Sequence, residues 1–297
     1  LKILGFALLA VCVCAVCCMC GSDSKTPDYE FPDGPDPDPD PQPGDYPAGL
    51  TVTEFTDDLG GGKQCLGFVA VADLKANPKL RFNAVHLPQQ KTPSRIHAEF
   101  ASANRGTACV TTNAGYWWAG NSLSLLVTGG AVKSIENQTV TRNNQTVYPV
   151  RSSFGQMASG GFETHWIYCV LDDGNKPYAF PSALDNDERT NTYMSAPPTS
   201  KTPGAALWTP QEAVGGGPML VREGKNVAVE NYWKEVFDGG GIAGTSRQPR
   251  TAVGATADGL RQCELLRSAP KEISQKITII DGAQYTTAEM LEKVREL

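Results

Sequence analysis

Histidine is nearly missing from this 297-residue chain: His86, His97 and His165 are all it has. A mechanism centred on imidazole therefore has few candidates, and His165, beside Trp166 at the start of an apolar run, reads as a strand-surface residue. There is no Gly-x-Ser-x-Gly elbow, no His-Glu-x-x-His pair and no glycine fingerprint for a dinucleotide, which excludes the standard serine-hydrolase, zinc-protease and Rossmann signatures. No Cys-x-x-Cys occurs beyond residue 50, and the carboxylates are scattered. Nothing in the sequence calls for a metal or a cofactor. A basic field is missing too. Net charge is −6, but the acidic segment 21–49 carries −7 and Lys2 carries +1, so residues 50–297 are neutral overall. That balance gives no argument for a nucleic-acid partner.

A long apolar run is also lacking. The run from Ile3 to Val16 is interrupted by Gly5 and overlaps a cluster of cysteines at 12, 14, 17, 18 and 20. It falls short of the roughly 20 apolar residues that cross about 30 Å of hydrocarbon, so with Lys2 in front it reads as a signal peptide. A leader ending on cysteine points to a lipoprotein. Cys20 is the preferred acylation site, because the polar stretch Gly21-Ser22-Asp23-Ser24 starts directly after it. These residues predict an exported protein of the bacterial cell envelope, facing the periplasm or the cell surface. It would meet the membrane through an N-terminal lipid anchor.

Residues 21–49 hold eight of the 21 prolines, and Asp36-Pro37-Asp38-Pro39-Asp40-Pro41 is a literal repeat. Proline favours extended polyproline II and neighbouring carboxylates repel, so this segment reads as a semi-rigid tether with no core.

Residues 50–297 are enough for one domain or two fused lobes. Cys65, Cys109, Cys169 and Cys263 are widely spaced there, and disulfides and buried thiols both remain open readings. Apolar or alternating runs bounded by turn residues recur at Leu66–Val71, Phe82–Leu87, Ala108–Thr112, Leu123–Val127, Trp166–Leu171, Pro218–Val221, Thr251–Ala255 and Ile277–Ile280. Helical patterning is clearest at Ser94–Asn104 and Thr286–Leu297. The polar stretch around Asn137 and Asn144 reads as a surface hairpin or loop. The expected class is α+β: a strand-rich antiparallel or mixed sheet with a few packed helices.

Four segments look unlike scaffold. At Asn113-Ala114-Gly115-Tyr116-Trp117 an amide, a glycine and aromatic faces end a short strand, as a sugar ring would require; a turn into buried aromatics is the plain alternative. The run Gly215-Gly216-Gly217-Pro218 can gather backbone N–H groups around an anion, or simply turn the chain. Arg250 enters a small, apolar strand with no acid beside it, and its planar fork suits a phosphodiester as well as a salt bridge. Ile277–Asp281 ends a β-branched run on a carboxylate suited to acid–base work, although Asp-Gly is also a common turn pair.

In order along the chain these segments resemble the phosphodiester glycosidase family. The likeness includes Asn113 to Trp117, Ser124 to Val127 with Gly129-Gly130, Arg151-Ser152-Ser153-Phe154-Gly155, Gly215 to Leu220, Pro249 to Gly254, and Asp281-Gly282 with Thr286 to Glu289. The resemblance implies hydrolysis of a phosphodiester at the anomeric carbon of a sugar in envelope or extracellular glycans. Carried over, Arg250 and Asp281 would be catalytic. The backbone at Gly216 and Gly217 would help Arg250 hold phosphate, with Arg151 as a second candidate, and Asn113, Gly115, Tyr116, Trp117 and Thr251 would contact substrate. The family continues past the helix at 286–297 into a further glycine-rich strand, whereas this chain stops at Leu297. The domain therefore reads as truncated at its C-terminus, which favours a second reading: a glycan-binding surface lipoprotein without catalysis.

Overall fold

The structure is a computed structural model that describes residues 7–12, 46–58, 60–62, 64–87, 91–100, 106–118, 121–136, 138–238, 248–256 and 276–285. Residues 21–45 of the tether, the second expected helix at 286–297, Cys20 and Cys263 lie outside these residues.

In chain order the first elements are β1 (Ala7–Cys12), β2 (Leu50–Asp58), β3 (Gln64–Asp73), β4 (Phe82–Val85), α1 (Pro93–Phe100) and β5 (Thr107–Thr112). Short strands follow: β6 (Trp117–Trp118), β7 (Asn121–Ser122), β8 (Leu126–Thr128), β9 (Ala131–Ser134), β10 (Val140–Arg142) and β11 (Gln145–Val147). The longer β12 (Arg151–Gln156), β13 (Phe162–Val170) and β14 (Lys176–Phe180) come next, then β15 (Ala206–Leu207) and β16 (Glu212–Gly215). The chain continues through β17 (Val221–Arg222), β18 (Lys225–Asn226), α2 (Ala228–Lys234), β19 (Gln248–Thr256) and β20 (Lys276–Tyr285).

Strands dominate. The largest sheet has seven, in the order β15-β14-β13-β12-β16-β8-β9, with antiparallel pairing throughout. A four-stranded antiparallel sheet runs β19-β20-β3-β2. The backbone of β1, the apolar part of the expected leader, pairs in parallel with both β4 and β5. Two α-helices occur among the described residues, which are mostly β: the expected strand-rich antiparallel sheet is present, and the few packed helices of the α+β expectation are not confirmed. The described part of the helical pattern at 94–104 forms α1. That helix begins with Pro93 in its first turn, where a missing N–H costs nothing; Thr92 Oγ1 accepts the N–H of Arg95 at 3.3 Å, and Ile96 and Phe100 are buried.

Burial explains which strands are central. β12 has neighbours on both sides and its four middle residues are buried, whereas β2 lies at a sheet edge and most of its residues keep contact with water. Phe82 meets Phe154 edge-on at 5.5 Å, and Phe154 stacks on Phe162 at 5.3 Å, in a core shared by β4, β12 and β13. Trp208 lies against Gly155, where a Cβ would come within 2.7 Å of the indole. The small residue in the middle of β12 is what admits the ring. The expected polar hairpin forms around Asn144 as β10–β11, turning through Asn143 and Asn144, both at positive φ, while Asn137 lies outside the described residues.

Candidate functional site

The end of β5 is fixed by a contact from far along the chain. Thr251 on β19 donates its hydroxyl to Asn113 Oδ1 at 2.7 Å. Asn113 Nδ2 then has no hydrogen bond among the described residues, so two donors remain available. The next turn can be built only with glycine. Gly115 has φ +67°, and a Cβ there would lie 3.0 Å from Ser124 Cβ and 3.2 Å from the Gly215 carbonyl oxygen. That turn directs Tyr116 toward the glycine run: its N–H donates to Ser124 Oγ at 2.7 Å, and its hydroxyl donates to the Gly217 carbonyl at 2.7 Å. Trp117 is half-buried in the small β6–β7 hairpin, and Trp118 beside it is 53% exposed.

The glycine run is a structural junction. Gly215 N–H donates to Leu125 O at 2.7 Å and Gly216 N–H donates to Ser152 O at 3.0 Å. The amide of Gly216 is therefore already engaged, and the expectation that this run offers a set of open N–H groups to phosphate is corrected at Gly216. Neighbouring strands need partners, and β8 and β12 lie on either side of β16. Gly217, at φ +109°, precedes a cis bond to Pro218, and a Cβ on it would collide with Oε2 of Glu235.

Glu235 sits at the centre of this region with no exposed surface, a residue that sequence reasoning missed. Its Oε1 accepts from Trp166 Nε1 at 3.0 Å and from the Met219 N–H at 2.8 Å. Its Oε2 accepts from the Ser152 N–H at 2.9 Å and Ser152 Oγ at 3.0 Å. Burial pushes its carboxyl up to about 7, against the opposing effect of those donors. One carboxyl thus ties the start of β12 to the Gly217–Met219 turn. A lone glutamate in Lys-Glu-Val-Phe looks like surface, and only the apolar residues that follow it hint at burial.

Arg151 opens β12 beside this hub. Its Nε donates to the Glu235 carbonyl at 3.2 Å, its Nη2 donates to the Val236 carbonyl at 3.0 Å, and its guanidinium lies 4.5 Å from the centroid of Phe237. Burial holds it below the usual arginine range. Phe237 also packs 5.4 Å from Tyr116, so the aromatic and cationic parts of the site share one wall. Arg151 and Gly216 lie around one narrow gap together with Glu136, Ser152, Ser153 and Gly215, too tight to hold a water molecule.

Arg250 is half-buried on β19, opposite Ala283 of β20. Pairing slips between Arg250 and Ala252, and Ala252 pairs with Ile280, so the backbone of Asp281 and Gly282 lies across from Thr251. Asp281 also pairs with Phe68 on β3. Direct hydrogen bonds therefore join Asn113 to Thr251 and Tyr116 to Gly217, Arg151 and Tyr116 share Phe237, and the Asp281 backbone borders the Thr251 end. Among the described residues no three His, Cys, Asp or Glu side chains gather as a metal would require, and no helix is long and apolar enough to cross a membrane.

Residues 130–266 match the model of the phosphodiester glycosidase family. Arg151, Gly216, Gly217, Arg250 and Thr251 fall inside the matched residues, while Asn113 and Asp281 fall outside. Among solved structures, the catalytic domain of zebrafish N-acetylglucosamine-1-phosphodiester alpha-N-acetylglucosaminidase, auto-inhibited by its pro-peptide, is similar at 12% identity. The alignment covers 85% of this chain and 69% of that one with a TM-score of 0.41. No curated protein matches the chain.

Proposed function

We propose that this protein hydrolyses a phosphodiester in which one ester oxygen is carried by the anomeric carbon of a sugar in envelope or extracellular glycans. The observation that carries the reading is the linkage of Asn113 to Thr251 and of Tyr116 to Gly217, which joins three of the family-like segments into one wall. Asn113 supplies free amide donors to sugar hydroxyls, and Trp117 an aromatic face. Arg250 neutralises the phosphate, and Asp281, on the strand beside it, serves as acid–base or positions the substrate. Thr251 holds the Asn113 amide in the orientation that leaves its donors outward. The test is release of free sugar from sugar-1-phosphodiesters by the purified protein, with Arg250→Ala and Asn113→Ala as controls. Sugar release that both substitutions abolish supports the reading.

The second reading, glycan binding without catalysis, draws on the same aromatic and amide contacts. It predicts sugar binding with no release, and it predicts that Asp281→Asn leaves affinity unchanged.

We further propose export and acylation at Cys20. Cleavage before Cys20 would remove β1, leaving β4 and β5 on either side of a one-strand gap in the mature domain. Mass spectrometry of the membrane fraction decides the point: a diacylglycerol on Cys20 agrees with this reading, and an intact unmodified N-terminus contradicts it.

A further inference from the structure

Strand β3 is covered on one face and bare at one end of the other. Successive side chains of a strand alternate between faces, so Cys65, Gly67 and Val69 share one side, and Leu66, Phe68, Ala70 and Ala72 share the opposite side. The first three are buried, and Phe55, Leu220 and Ala252 pack against the cluster that Cys65 and Val69 form. On the second side Ala72 and Ala70 enter the core with Leu50, Phe82 and Phe154, and Val253 of β19 packs against that core. One step further along the same row the cover stops. Ala70 is 5% exposed, Phe68 is 42% exposed and Leu66 is 51% exposed. Their partners on β2, Glu54 and Thr56, are exposed as well.

The bare end of this row adjoins the candidate site at Thr251. Thr251 stands two residues before Val253 on β19 and so shares its face, and it holds Asn113, whose neighbour Ala114 packs on the same core. Only β20 lies between β19 and β3; its Asp281 pairs with Phe68, and its backbone there lies across from Thr251. Two strand spacings put Phe68 about 10 Å from Thr251, within the span of one phosphodiester and its substituents. Single exposed apolar residues are ordinary, but two in one row beside a site mark a surface that a ligand covers. The chemistry narrows the ligand. Glu54 at the border disfavours a second anion. Leu66 has no polar atom and no ring face, so sugar hydroxyls gain nothing over it, whereas a hydrocarbon chain removes both side chains from water.

We propose that Phe68 and Leu66 form a subsite for an apolar alcohol: the ester group of the substrate that is not the sugar carries a hydrocarbon chain, which lies along β3 from Phe68 to Leu66. This rests on the hydrolase reading and deepens it by naming the class of the second ester group. The sugar stays at Asn113 and Trp117, the phosphate lies between Thr251 and Phe68, and the hydrocarbon leaves the site along the strand.

The experiment is calorimetric titration of the full chain with octyl phosphate below its micelle-forming concentration, and separately with glycerol 3-phosphate and glucose 6-phosphate. Octyl phosphate binds the wild type at least tenfold tighter than either polar ester. Phe68→Thr and Leu66→Thr, both exposed positions given a strand-forming residue, each weaken octyl phosphate severalfold or more and leave glycerol 3-phosphate unchanged. An unshifted thermal midpoint in either variant shows that the loss is local. Leu171→Thr, at a 61% exposed leucine just past β13, leaves octyl phosphate affinity as it was. The subsite is overturned if the three esters bind alike, if none binds, if the octyl preference survives both substitutions on β3, or if Leu171→Thr weakens it equally. A Phe68-dependent preference for glucose 6-phosphate would overturn it in favour of a second sugar. Sugar released equally fast from octyl and glycerol diesters would defeat the subsite and leave hydrolysis standing; a Phe68-dependent octyl preference with no sugar release from any diester would do the reverse.

Discussion

Thr251 and Asn113 are 138 residues apart in sequence, yet the threonine hydroxyl donates to the asparagine Oδ1 at 2.7 Å. This one bond brings the end of β5 to β19 and sets which face of the amide looks outward. Removing it with Thr251→Val keeps the β-branched shape and lets the amide rotate. Stability should fall by about 1 kcal/mol, the net value of such a bond, and KM for a sugar-1-phosphodiester should rise more than kcat falls. Denaturant titration and steady-state kinetics check the two parts.

The turn at Gly115 admits no side chain. Gly115→Ala combines strain at φ +67° with contacts of 3.0 and 3.2 Å to Ser124 and the Gly215 carbonyl. We expect a loss of about 2 kcal/mol or more by chemical denaturation. A variant as stable as the wild type would mean that the turn is looser than its geometry indicates.

Tyr116→Phe removes only the hydroxyl that donates to the Gly217 carbonyl, while the ring stays against Phe237. A cost of about 1 kcal/mol follows. Because the bond joins the sugar-facing turn to the glycine junction, sugar affinity should fall in parallel, which titration calorimetry would show.

Glu235 gives a pH dependence of defined sign. Its folded carboxyl lies at about 7 against 4.5 in the unfolded chain, so between those values the folded state binds the extra proton. The stability it contributes is full below about pH 4.5 and is lost as pH rises through 7. The change amounts to about 3 kcal/mol at most. Glu235→Gln cannot titrate, so its stability relative to wild type should climb between pH 5 and pH 8. Parallel urea titrations at both pH values test this, and a constant difference would contradict it.

Much of the scaffold was legible because alternation and turn residues are local signals. Leu66–Val71, Ala108–Thr112, Trp166–Leu171 and Thr251–Ala255 all lie wholly or largely within strands of the structure. Pro218–Val221 did not follow. That apolar stretch is a turn held by Glu235, and only Val221 enters a strand. Four apolar residues in a row can equally be a strand or a buried turn, and the acceptor that decides lies 16 residues away. Glu136 and Glu235 were invisible for a related reason. Each is a lone acid whose burial depends on partners supplied by distant strands, and no spacing rule encodes that. Asn113, Gly115 and Thr251 could be singled out because glycine and amide at a strand end are unusual in themselves. Their mutual contact could not.

The most direct measurement is sugar release from a panel of sugar-1-phosphodiesters by the purified full chain, run beside Asn113→Ala and Arg250→Ala. The account predicts free sugar from at least one member, reduced a hundredfold or more in each variant. No release from any member, together with ligand binding that Arg250→Ala leaves unchanged, would contradict it.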